Sequence, residues 1–82
     1  SPPSAPRILP CGDAALAVEF GDAVDPALNA RVLALDARVQ GLPGIVETVP
    51  TYRSLLVHYD PVAIGFEALS EALLAQARDL PD

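Results

Sequence analysis

The chain contains no lysine, and its basic residues are five arginines, Arg7, Arg31, Arg38, Arg53 and Arg78, scattered through 82 positions. No basic patch can be drawn from them. With a formal net charge of −6 and a pI near 4.4, the chain repels phosphate backbones and anionic lipid, so neither nucleic acid nor a membrane surface is an expected partner. The Gly-x-x-x-x-Gly-Lys phosphate loop is missing too, so any ATP used would be bound elsewhere. Cys11 is the only cysteine and His58 the only histidine. One thiol excludes an internal disulfide and the thiolate pairs of structural zinc, one imidazole excludes a histidine cluster, and no metal site is expected. No apolar run approaches the roughly 20 residues of a membrane helix. Ser1-Pro2-Pro3-Ser4-Ala5-Pro6 has neither the basic nor the apolar part of a signal peptide, which makes the cytoplasm the expected compartment.

What is present is apolar. A hydrophobic fraction of 51% and a mean hydropathy of +0.34 require a packed interior rather than a disordered chain. A chain of this length buries only about 60% of its unfolded surface, enough for one domain with one thin core. The prolines at positions 2, 3 and 6 predict a disordered tail over 1–6, ahead of a single α+β domain over 7–80.

The pattern along that domain alternates between two periods. Arg7–Leu9 reads as a short strand stopped by Pro10, followed by a turn at Cys11-Gly12-Asp13. From 14 to 20 the large residues Leu16, Val18 and Phe20 recur every second position, a strand with one apolar face that ends at Gly21-Asp22. Asp25-Pro26 suits a helix entrance, with the aspartate as cap and proline at the first helical position. Leu28, Val32, Leu35 and Val39 then form a stripe, with Asn29, Arg31, Asp36 and Arg38 facing away and Gly41 as a left-handed cap. The β-branched stretch 45–49, closed by Pro50, predicts a third strand whose facing is ambiguous. In a fourth, Ser54–Tyr59, Leu55, Val57 and Tyr59 share one face and Leu56 and His58 the other, and the pair reads as a hairpin. After Asp60-Pro61 and Gly65, the positions Phe66, Leu69, Leu73, Ala77 and Leu80 make a second helical stripe, and Pro81 ends the domain.

Two amphipathic helices need one shared surface. The order therefore predicts a two-layer sandwich, a four-stranded, mainly antiparallel sheet with both helices on one face. The other face stays uncovered, and Leu56 together with whichever of Ile45 or Val46 points outward leaves apolar surface there for a partner.

Three residues are candidates to face a ligand: Tyr52 and Arg53, in the connection between strands, and His58. A guanidinium in a loop can clamp a carboxylate or phosphate. Against this, the tyrosine ring can pack over the sheet end while the arginine pairs with Glu47 or Asp60, and that reading is favoured. His58 has no sequence-near residue to tune it, so a neutral histidine at a sheet surface or domain contact is favoured over a base. Cys11 reads as a small buried hydrophobe, Gly12-Asp13 as a turn rather than an anion nest, and Glu19 and Glu47 as solvated or cross-strand paired. No residue is expected to be catalytic.

Residues Arg7 to Gly21 and Pro50 to Pro61, with Leu42-Pro43-Gly44-Ile45-Val46-Glu47 between them, resemble the N-terminal domain of a bacterial family. That family includes allophanate hydrolase subunit 1, the B component of 5-oxoprolinase and the sporulation kinase inhibitor KipI, and it is of the carboxyltransferase C and D type. The resemblance runs from Arg7 to about Leu80 and implies the β-β-α-β-β-α fold of a pterin-dehydratase dimerisation cofactor. It also implies a longer polypeptide with a cyclophilin-like second domain, absent from this sequence, and homologous partner subunits with which 5-oxoproline is opened using ATP. On that view this domain is not active alone and binds no cofactor itself. The inhibitor branch implies a sensor histidine kinase as partner instead, and a homodimer is a third expectation. Gly65 departs from the serine or threonine expected at that helix start, at a cost of only a few tenths of a kcal/mol.

Overall fold

The structure, a computed structural model, describes residues 6–21 and 26–80. The tail expected over 1–6, apart from Pro6, the cap at Asp25, and the breaks at Asp22 and Pro81 lie outside the described residues. The elements follow the order β1 (Arg7–Pro10), β2 (Ala15–Glu19), α1 (Pro26–Val39), β3 (Ile45–Pro50), β4 (Ser54–Tyr59) and α2 (Phe66–Arg78). The strands form one sheet in the order β1-β2-β4-β3, and every neighbouring pair is antiparallel.

The core lies where the sequence periods point. Leu16, Val18 and Phe20 from β2 and its end, and Leu55, Val57 and Tyr59 from β4, pack in one cluster with Val32, Leu35 and Val39 of α1 and Leu69, Leu73 and Ala77 of α2. Both helices therefore cover the same face. Burial in β4 alternates without a break, because a central strand with one covered face must send every second side chain inward.

Several expectations are corrected. Gly41 does not take the left-handed conformation; Gly12 (φ 99°) and Gly44 (φ 87°) are the described residues with positive φ. At Gly44 a Cβ would lie 2.5 Å from Cγ2 of Ile64, so close approach as well as dihedral fixes glycine there. Phe66 heads its stripe but is 37% exposed, whereas Leu69, Leu73, Ala77 and Leu80 are buried. It stands in the first turn of α2, ahead of the turns that reach α1.

The polar flank of α1 does not simply face away. The Arg31 guanidinium stacks 5.4 Å from the Phe20 ring centroid and donates to the Ala77 carbonyl at 3.3 Å, so it joins α1 to the end of β2 and the last turn of α2. Arg38 pairs with Asp79 at 2.8 Å. Asp36 accepts from Thr48 Oγ1 and from Gln40 Nε2, each at 2.6 Å, and Asn29 donates to the Thr51 carbonyl at 3.4 Å. These residues border the apolar stripe closely enough to bond with the neighbouring elements. Cys11 is exposed, because the turn it begins lies past the end of the sheet, where no helix covers it.

Both sheet edges end in proline. The Cys11 and Thr51 amides donate to Ala15 and Ser54, and hydrogen bonding in antiparallel pairs alternates along the strand. Positions 9 and 7 of β1, and 49 and 47 of β3, therefore turn their backbone groups inward. Pro10 and Pro50, at the alternate positions, turn outward a nitrogen with no hydrogen to donate.

Candidate functional site

The uncovered face is built from three rows that run across the strands. Arg7, Glu19 and Ser54 form the first, Leu9, Ala17, Leu56 and Val49 the second, and Ala15, His58 and Glu47 the third. The middle row is apolar throughout. Leu9 and Val49 are 38% and 40% exposed, and Ala17 and Leu56 are half-buried between them. In the first row Arg7 forms an ion pair with Glu19, the second of the two arrangements, solvated or cross-strand paired, expected for that glutamate.

Of Ile45 and Val46 it is Val46 that is exposed, and Val49 is the apolar residue of β3 that lies in the middle row. A register shift between Ile45 and Glu47 leaves Val46 unpaired and 71% exposed, while Ile45 packs against the core. A bulge adds one residue and so reverses the facing of everything after it. Glu47 and Val49 consequently join the open face, and Thr48 turns toward α1.

The ligand-facing candidates do not form one site. Tyr52 and Arg53 lie in the β3–β4 connection, with Tyr52 exposed and the Arg53 carbonyl accepting from the Phe20 amide at 2.9 Å. Thr51 braces this turn through its hydroxyl, which contacts the Ser54 hydroxyl at 2.7 Å. His58 stands at the other end of β4, roughly 17 Å from Arg53 at about 3.4 Å per strand residue. Its cross-strand neighbours are Ala15 and Glu47. The sequence reading missed Glu47 at this place, because only the bulge brings the carboxylate beside the imidazole. Glu19 and Glu47 sit on β2 and β3, which β4 separates, so they do not form an acid–base pair. Among the described residues no three His, Cys, Asp or Glu side chains gather as a metal site.

Fold and face together define a two-layer α+β module that turns one side of its sheet outward. The chain belongs to the family described as carboxyltransferase domain, subdomain C and D, which matches residues 6–81. It is similar to the B component of 5-oxoprolinase from Bacillus subtilis (strain 168), with 37% identity over 56 residues, which are 66% of this chain and 23% of that protein. Among solved structures it is similar to the Kluyveromyces lactis urea carboxylase, with a TM-score of 0.86 and 28% identity, covering 94% of this chain and 7% of that one. It is also similar to the N-terminal domain of the histidine kinase inhibitor KipI from Bacillus subtilis, with a TM-score of 0.62 and 27% identity, covering 89% of this chain and 75% of that one. The resemblance drawn from Arg7–Gly21 and Pro50–Pro61 holds. The chain spans about a quarter of the length of the oxoprolinase component it matches.

No helix among the described residues is long and apolar enough to cross a membrane.

Proposed function

We propose that this chain is the N-terminal module of one component of an ATP-dependent, cytoplasmic amide-ring hydrolase of the 5-oxoprolinase or allophanate hydrolase type, contributing an interface rather than the reacting groups. The observation that supports this reading most is that the same module recurs as a small share of two larger relatives, 23% of the 5-oxoprolinase B component and 7% of a urea carboxylase. On this reading a cyclophilin-like domain follows it, homologous partner subunits complete the enzyme, and ATP is bound outside this module. Tyr52 and Arg53 are its substrate-facing loop, and His58 lies at a domain contact. The test combines the full-length protein with its partner subunits and follows ATP-dependent loss of 5-oxoproline. Turnover should collapse when residues 7–80 are deleted, and undiminished turnover would reject the proposal.

A second reading is favoured by the likeness to the KipI N-terminal domain, of which the chain covers 75%. Here the protein binds a sensor histidine kinase and lowers its activity, with no substrate of its own. Kinase autophosphorylation measured with and without the protein separates the two readings.

A further inference from the structure

We infer that the tip of the β3–β4 hairpin, Tyr52 and Arg53, enters an acidic cleft on a partner subunit, so that the site this loop serves is completed only between components. This rests on the reading of the loop as substrate-facing and says what it faces. Thr51, Tyr52 and Arg53 are all exposed, and Tyr52 keeps 50% of its surface in water. A run of exposed residues at a hairpin tip is convex, whereas small-molecule sites are concave. Such a tip meets a substrate only where another component supplies the hollow.

The turn is built against ordinary turn chemistry. Thr51 stands opposite Ser54, its amide donating to the Ser54 carbonyl at 2.8 Å, so Tyr52 and Arg53 are the central residues. The common hairpin turns with two central residues need a positive φ at the first of them and favour Asn-Gly or a leading glycine. Neither Tyr52 nor Arg53 has a positive φ. Side chains close the turn instead: the Ser54 amide donates to Thr51 Oγ1 at 3.1 Å, and that hydroxyl donates to the Ser54 carbonyl at 3.0 Å. The Thr51 carbonyl accepts from Asn29 Nδ2 of α1 at 3.4 Å, and the Arg53 carbonyl accepts from the Phe20 amide at 2.9 Å. Residues that contradict the local rule and are braced from two other elements mark a place kept for its side chains rather than for its backbone.

Those side chains also say what receives them. Tyrosine and arginine dominate an interface when each is sunk in a desolvated pocket, and a backbone braced beforehand removes the ordering cost from the binding step. The tyrosine ring needs apolar walls and a partner for its hydroxyl, and the guanidinium needs a planar acceptor, which a carboxylate supplies in two-pronged fashion. The receiving surface is therefore a cleft with a carboxylate beside it. Exposure alone does not single out the tip. Val62 is 94% exposed, yet it lies past the other end of β4, in a turn that bonds back to Asp60, and it brings neither an aromatic ring nor a charge.

The experiment titrates the full-length protein with its partner subunits by calorimetry and follows ATP-dependent loss of 5-oxoproline in parallel. Tyr52→Ala and Arg53→Ala should each weaken association about thirty-fold. Arg53→Lys should recover little of this, because an ammonium cannot clasp a planar carboxylate. Thr51→Val keeps both tip side chains but loosens the turn and should weaken association about three-fold, whereas Val62→Ala should leave it unchanged. The double variant Tyr52→Asn, Arg53→Gly restores ordinary turn residues: it should melt no lower than the unaltered protein and still lose association. Circular dichroism confirms folding, and if a single variant is unfolded the double variant decides. Tip variants that associate as Val62→Ala does overturn the inference. So does a double variant that melts lower, which makes Tyr52 and Arg53 supports of the fold, and so does normal association with lost turnover, which puts the cleft in the same polypeptide. An unaltered protein that binds no partner subunit fails at the earlier step, the hydrolase reading, and takes this inference with it.

Discussion

Replacing Gly44 by alanine should be among the most damaging small changes available in this chain. Gly44 has φ 87°, and a Cβ there would lie 2.5 Å from Ile64 Cγ2, 3.1 Å from Ile64 Cβ and 3.6 Å from Ala63 Cβ. The left-handed backbone costs a side chain about 1–2 kcal/mol, and forcing a methyl into an occupied space costs about 1–3 kcal/mol more. Backbone movement offers little relief, because the Gly44 carbonyl is held by the Asp60 amide at 2.8 Å. The sum, about 2–5 kcal/mol, is a large part of the roughly 4–12 kcal/mol expected for a domain of this length. Urea unfolding followed by circular dichroism measures it. Because the main collision is with Ile64, the Gly44→Ala and Ile64→Ala costs should fall short of additive by about 1–2 kcal/mol in the double variant. Gly41 is the control: its φ is not positive and a Cβ there meets nothing within 4 Å. Gly41→Ala should then stabilise by about 0.4–1 kcal/mol through the unfolded state. Equal effects at the two glycines, or strict additivity with Ile64→Ala, would refute the account of this turn.

Three other perturbations test separate parts of the fold. Leu35→Ala or Leu73→Ala, each removing a fully buried side chain, should cost about 2–5 kcal/mol in the same assay, and unchanged melting would show that the helical stripes do not form the core. Arg31→Met keeps an apolar stem but loses the Phe20 stacking and the bond to Ala77, and should cost about 1–2 kcal/mol; a neutral result would remove Arg31 as the link between the helices. Cys11 should react with an alkylating reagent in native buffer at nearly its rate in denaturant, and a protected thiol would return it to the core.

Much of the fold is legible because its strongest periods coincide with its most covered elements. Leu55, Val57 and Tyr59 alternate on a central strand, and Val32, Leu35 and Val39 recur on one side of α1. In both cases a local pattern and a tertiary demand agree. The misses share a different cause. Gly41 and Gly44 stand three residues apart, and either suits a helix exit. Ile64 and Asp60, well beyond them in the chain, decide between the two, and no local pattern reveals that. Cys11 looks buried from its apolar neighbours, which suggest a continuous sheet, although the strand stops at Pro10. The candidate ligand residues are legible as exposed or strand positions. Their separation to opposite ends of β4 follows once that strand is placed, but the neighbour of His58 does not.

That neighbour shows how much rests on one residue of β3. If β3 paired with β4 without a bulge, Ile45, Glu47 and Val49 would all share the face of Tyr59, and a carboxylate would be pressed under the helices. The desolvation of an unpaired carboxylate costs several kcal/mol. The extra residue at Val46 removes that conflict: Ile45 still packs against the core, Glu47 turns out beside His58, and Thr48 turns in, where its hydroxyl bonds Asp36 of α1 at 2.6 Å. The same shift carries Val49 onto the open face opposite Leu56 and completes the apolar row that starts at Leu9. The bulge that keeps a charge out of the core is thus also what makes the apolar row of the outer face continuous across all four strands.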